Sequence, residues 1–159
     1  MDIAIRPARD KDANACGRIC YEGFRAVNER HGFPLIFASV DVATQRVGGF
    51  IRQPTVFGVV AEAHGRIVGF NFLREQDPIR AVGPIVVDPA AQGHGTGRQL
   101  METVLERGAA RGASVFFRIH STYSRSRSMR PSASTRGKFL WCSRAHRGRR
   151  RRRNGRYGL

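Results

Sequence analysis

Residues 81–117 constrain this chain more than any other stretch. They run Ala81-Val82-Gly83-Pro84-Ile85-Val86-Val87-Asp88-Pro89, then Ala90-Ala91-Gln92-Gly93-His94-Gly95-Thr96-Gly97-Arg98. An amphipathic run to Arg111 follows, and then Ala113-Ser114-Val115-Phe116-Phe117. This order reads as a buried strand, a glycine-rich turn, a helix and a further strand. Glycines at 93, 95 and 97 leave main-chain N–H groups unobstructed where the helix begins. A helix start carries unpaired N–H groups and a partial positive charge, so it suits a phosphate.

Two familiar glycine loops are excluded. A dinucleotide fingerprint needs a third Gly at the sixth position, which here is Arg98. A nucleoside-triphosphate loop needs Lys and then Ser/Thr after its last Gly, and neither follows Gly97. What remains is Gln-x-x-Gly-x-Gly, Gln92 to Gly97, after a strand ending Val-Val-Asp-Pro.

That block resembles the coenzyme A loop of the GNAT N-acetyltransferase superfamily. The resemblance implies that the amides of Gln92, Gly93, His94, Gly95, Thr96, Gly97 and Arg98 hold the pyrophosphate of acetyl-CoA. It implies that Ile85, Val86 and Val87 offer backbone groups to the pantetheine arm and the thioester carbonyl. The expected chemistry is direct transfer of an acetyl group to an amine on a small molecule or a protein, with no metal. Glu75 and Asp77, after the third strand, stand by analogy where a general base would take the amine proton. A solvated turn carboxylate is the plainer reading of each. His94 reads as a phosphate contact or an exposed loop residue.

Composition sharpens the division of the chain. Of 159 residues, 1–117 hold 14 Lys+Arg against 12 Asp+Glu, net +2; 118–159 hold 14 Lys+Arg and no acid, net +14. The first part is ordinary globular sequence and the second is not. No apolar stretch is long enough to cross a membrane. The start, Met1-Asp2-Ile3-Ala4-Ile5-Arg6, lacks a signal-peptide layout, so a cytoplasmic location is expected. Cys16, Cys20 and Cys142 form no disulfide framework. Cys16 and Cys20 lack further ligands at zinc-site spacing and read as small buried hydrophobes.

Ahead of the central block, Ile3 and Ile5 mark a short strand. Asp10 or Asp12 caps a helix to about Asn28, with Ala13, Cys16, Ile19, Cys20, Phe24 and Val27 on one face. Gly32-Phe33-Pro34 breaks it. A weaker helix covers residues 40–51, interrupted at Gly48-Gly49, in the region where this family shapes its acceptor pocket. Residues 55–62 and 67–73 are strands joined by a hairpin turn over Ala63-His64-Gly65-Arg66. Residues 80–87 form one more. The later helix buries Leu100, Met101, Val104, Leu105 and Ala109, with Glu102, Glu106 and Arg107 on the wet face, and stops at Gly112. The expected fold is α/β, a mixed sheet in the order β-α-α-β-β-β-α-β, resembling the GNAT order up to Phe117.

From Arg118 no helical or strand period survives. Ser and Arg dominate, and Arg149 to Arg153 are consecutive. Such a segment buries too little apolar surface to offset its ordering entropy, so disorder is expected for most of it. The family's next helix and strands are missing. That helix often carries a Tyr that protonates the departing thiolate, and Tyr123 does not fit the role. A shifted reading frame accounts for the tail. With suitable codons, starting two nucleotides into the Phe117 codon yields Gln-Asp-Ser-Phe-Asn-Leu-Leu-Ala-Leu-Pro-Phe-Tyr-Ala-Ser-Leu-Gly-Phe, which looks like the missing end. Sequencing the gene or transcript across Phe117 tests this. Two other readings stand beside the enzyme: a basic tail that binds nucleic acid nonspecifically, and a non-functional product.

Overall fold

The computed structural model describes residues 2–77, 79–110, 114–118 and 140–142, the last two segments as backbone. The elements are β1 Ala4–Pro7, α1 Ala13–His31, α2 Val40–Arg52, β2 Val56–Ala63, β3 Arg66–Arg74, β4 Ile79–Val82, β5 Val86–Val87, α3 Thr96–Ala110, β6 Ser114–Arg118 and β7 Leu140–Cys142. Short 3-10 turns occupy Asp10–Asp12 and Pro89–Ala91. The sheet runs β1-β2-β3-β4-β6-β7, with β5 also paired to β3. Strands β1 to β5 pair antiparallel, whereas β4–β6 and β6–β7 are parallel. A mixed sheet in the expected order is therefore present.

Alternation along β3 sorts the core into two layers. Phe70 and Phe72 point to one face, where they meet Cys16, Ile19 and Cys20 of α1 and Ala43 and Val47 of α2. Leu73 points to the other face, with Val59, Ala61 and Val82, and is covered by Leu100 and Val104 of α3. Successive strand side chains face opposite ways, so a two-sided sheet needs helices on both sides. The helices α1 and α2 approach closely at Gly17, where a Cβ would fall against the backbone and side chain of Thr44. Burial lifts the thiols of Cys16 and Cys20 to about 12, so both act as small apolar side chains. No helix among the described residues is long and apolar enough to cross a membrane.

Several details differ from the sequence expectation. Asp12 occupies the α1 N-cap position but does not cap with its side chain. Its carboxylate instead accepts from Arg9 N at 2.8 Å and from two nitrogens of Arg6 at 2.7 and 3.0 Å. Helix α1 continues to His31 and closes on Gly32, whose φ of 64° is left-handed. Helix α2 is unbroken through Gly48-Gly49 and begins at Ser39, whose Oγ accepts from Val42 N at 3.3 Å. Ala109 is exposed and Gly108 is the buried residue of that turn. Arg107 leaves the wet face to meet Glu75.

Residues 80–87 are not one strand. Three steps along β3, from Leu73 to Phe70, are matched by four on its partner, from Val82 to Val86. The extra residue forms a bulge around Gly83, which takes φ 117° and precedes a cis peptide to Pro84. Pro lacks an N–H for the ladder, so a strand carrying it must break or bulge there. Gly112 and most of residues 118–159, with the frame-shift and disorder readings of them, lie outside the described residues. Within that stretch, residues 140–142 pair with β6 as a short strand that hydrophobic periodicity did not indicate. Main-chain pairing needs only N–H and C=O groups, which every non-proline residue carries.

Candidate functional site

Strand β4 and β5 together have one edge that changes character at the bulge. From Ile79 to Val82 that edge pairs with β6, in register from Ile79↔Ser114 to Val82↔Phe117. Beyond the bulge, β5 pairs with β3 alone among the described residues. Among the described residues, nothing pairs with that edge beyond Val82, which leaves a wedge beside residues 83–87.

Strand alternation decides what faces that wedge. Asp88 N donates to Val68 O at 2.9 Å, toward β3. The N–H and C=O of Val87, one residue earlier, therefore point to the opposite edge. The Val87 carbonyl is taken there by Gln92 Nε2 at 3.1 Å. Val86 differs. Its backbone pairs with Phe70, and its side chain packs on the α1 side of the sheet. Of the three residues expected to meet the pantetheine arm, Val87 faces the outer edge, Val86 faces away, and Ile85 lies in the bulge between the two paired stretches.

The glycine loop follows within a few residues. Asp88 Oδ1 accepts from Ala90 N at 2.9 Å and caps the short turn at Pro89–Ala91. Gly93 and Gly95 have φ of 82° and 81°, and a Cβ on either would meet open space. They are glycine for their backbone conformation, not for lack of room. Thr96 Oγ1, buried, donates to Ala91 O at 3.0 Å and ties the helix start back to the turn. His94 Nδ1 donates to Gln92 O at 2.9 Å, which turns that side chain inward onto its own loop. Among the described residues no carbonyl accepts from the amides of Gly93, His94, Gly95, Thr96 or Gly97. The first closing bond is Gln99 N to Gly95 O at 3.1 Å. Unsatisfied amides at the start of a 15-residue helix are a ready anion cradle.

Helix α3 is held firmly in place behind this cradle. Asn71, fully buried, donates from Nδ2 to Leu100 O at 3.3 Å and accepts from Phe72 N at 2.8 Å. Sequence reading missed this strut, although a lone Asn inside an apolar strand is the signal that could have found it.

The two carboxylates expected near the chemistry lie elsewhere. Glu75, 9% exposed, accepts from Arg80 at 2.8 Å and from Arg107 at 3.0 and 3.3 Å. Arg107 also lies over the Phe57 ring, 4.7 Å from its centroid. This cluster binds the last turns of α3 to β2, β3 and β4. Asp77 is exposed, in the turn before β4. Ile79 stands about 13 Å from Gly83 along the strand at the usual rise, and Asp77 precedes it at that far end. The fold brings residues 85–87 and 92–98 together and leaves Glu75 and Asp77 apart from them.

A bulged strand whose outer edge is unpaired among the described residues, followed by bare amides at the mouth of the next helix, marks out a class of α/β fold. Comparison with known proteins gives that class a name. The model of the GNAT acetyltransferase family matches residues 21–130, and the chain belongs to that family. Its fold is similar to the PaiA N-acetyltransferase of Thermoplasma acidophilum solved with coenzyme A, at TM-score 0.64 and 13% identity, covering 77% of this chain and 82% of that one. It is also similar to a GNAT family acetyltransferase of Brucella melitensis solved with acetyl-CoA, at TM-score 0.58 and 21% identity, covering 77% and 79%. A ribosomal-protein-alanine N-acetyltransferase of Brucella melitensis biovar Abortus 2308 gives TM-score 0.55 and 15% identity, covering 72% and 77%. No curated protein matches the chain. At these identities the solved structures speak for the fold alone.

Proposed function

We propose that the chain binds acetyl-CoA along β5 and the 92–98 loop and transfers its acetyl group to an amine. The observation that carries this reading is the run of amides from Gly93 to Gly97 that no carbonyl among the described residues accepts, beside the outer edge of Val87. Those amides would take the pyrophosphate, and the Val87 and Ile85 backbone would pair with the pantetheine amides. In the transfer, the amine nitrogen bonds to the thioester carbon, the C–S bond breaks, and the thiolate takes up a proton. Main-chain N–H groups near the bulge would hold the charge that develops on the carbonyl oxygen. We assign Glu75 a positioning role, because two guanidinium groups already occupy its oxygens. The amine proton would leave to water, because Asp77 lies beyond the far end of β4 from the bulge.

The test is a thermal shift of the full chain with acetyl-CoA, beside an assay for release of free thiol with a panel of amines. A shift that saturates with acetyl-CoA and is absent in Gly95→Val supports the reading; a folded chain with no shift rejects it. The charge of residues 118–159 favours a second reading, nonspecific nucleic-acid binding. RNA affinity that collapses with salt, in a chain indifferent to acetyl-CoA, would support that instead.

A further inference from the structure

An open groove of about 590 Å³ lies on the α1/α2 side of the sheet, lined by Val42, Gln45, Arg46, Phe50, Gln53 and Arg74 among others. Arg74 shares its face of β3 with Phe72 and Phe70, two and four residues earlier, and Phe72 meets Phe50 at 5.4 Å between ring centroids. The groove floor is therefore the edge of the aromatic core and its rim is polar. Its charge is one-sided. Arg6, Arg25, Arg80 and Arg107 each meet a carboxylate. Among the described residues neither Arg46 nor Arg74 does, and the groove lining contains no acid. Arg46 Cζ lies over the Phe50 ring, 5.4 Å from its centroid, a contact that leaves the N–H donors of an exposed guanidinium available to a further partner.

The groove also sits beside the reacting edge. Arg74 pairs with Ala81 on β4, and Gly83, at the bulge, is two residues further, about 7 Å along the strand. An acceptor seated at Arg74 would span that gap to an acetyl group held at the bulge. Two guanidinium groups without acidic partners, two carboxamides and an apolar floor match a carboxylate with an apolar flank.

Resting on the acetyltransferase reading above, we propose that the acceptor is a small amine that also carries a carboxylate, gripped by Arg46 and Arg74, with its apolar part against Phe50 and Val42. A cationic polyamine would meet two like charges here, and such juxtaposition disfavours it.

The experiment titrates the full chain, at low ionic strength, with phenylalanine and with phenylalaninamide, which differ only at the carboxylate. The acid should bind about tenfold more tightly or better. Arg74→Gln and Arg46→Gln should each remove most of that preference, and Arg74→Lys should retain part of it. Both side chains are exposed, so the variants should fold, and a parallel titration with coenzyme A should be unchanged. Failure of the acid to outbind the amide, including no binding by either, overturns the proposal, as does a preference that survives both glutamine variants. Coenzyme A binding without acid preference would sink the groove assignment alone. Acid preference without coenzyme A binding would sink the acetyltransferase reading alone.

Discussion

Residues 79–82 pair with β6 along their whole length and with β3 at Ala81 and Val82, whereas at Val86 and Val87 the ladder continues, among the described residues, on the β3 side alone. The first half is closed by its own partners. Arg80 reaches back to Glu75, which also takes Arg107 from α3. The second half leaves main-chain groups facing a wedge, and the loop beyond it leaves five amides unaccepted among the described residues. The contrast teaches where a ligand can add something. A buried or strand-edge polar group without a partner costs free energy, and a ligand that supplies the partner recovers it. In the closed half the carboxylate of Glu75 meets Arg80 and Arg107, and the one buried donor left over there among the described residues is Arg80 Nε.

The largest effect should come from the helix that supports both halves. Leu100 is fully buried, and its carbonyl is held by Asn71. Leu100→Ala should lower stability by about 2–5 kcal/mol, as deletions of buried leucine do. Urea unfolding measures this, and a change under about 1 kcal/mol would mean that α3 is not packed as described.

Next comes the closed half itself. Glu75→Ala leaves Arg80, 12% exposed, without its carboxylate. A loss of about 1–3 kcal/mol is expected, between the values for surface and buried pairs, because Arg107 is partly solvated. The pH profile of acetyl transfer per folded molecule should keep its shape. If the profile loses its acid limb while the unfolding midpoint holds, Glu75 is a base after all and the contrast fails.

The open half gives a smaller effect on stability and a larger one on binding. Gly95→Val forces a β-branched residue to φ near 81°, at about 1–2 kcal/mol of strain. Coenzyme A affinity should fall about tenfold or more by the same measure. Equal affinity in calorimetry would show that the loop is not the cradle.

The smallest effect concerns pH. The Arg6 guanidinium, through its hydrogen bonds, holds the Asp12 carboxyl below the ordinary range, outweighing the opposing effect of burial, and the Arg9 amide adds to the lowering. A depressed carboxylate contributes stability above its unfolded value, near 4, and loses it as pH falls through the folded value. Asp12→Asn should therefore flatten part of the acid limb of the stability curve. An unchanged acid limb would rule out this linkage.

Much of this arrangement was legible before the fold. Alternating apolar residues gave the sheet order, and the spacing of Gln92, Gly93, Gly95 and Gly97 pointed to the loop, because both signals are local. What was missed depended on tertiary neighbours. Nothing near Glu75 in the chain announces Arg107, 32 positions away, so its ion pair with that residue was not legible. Asp12 had the right offset for a cap, and Arg6 won it with charge-assisted bonds stronger than a neutral cap. The bulge had a local sign, Gly83-Pro84 inside an apolar run, which should have divided the strand.

The most direct test follows the amide resonances of Gly93, Gly95 and Gly97 in the folded full chain as coenzyme A is added. The account predicts that these three move together and saturate, with Val87 moving beside them. Saturable shifts elsewhere with these amides still, or no shifts at all in a chain shown to be folded, would contradict it.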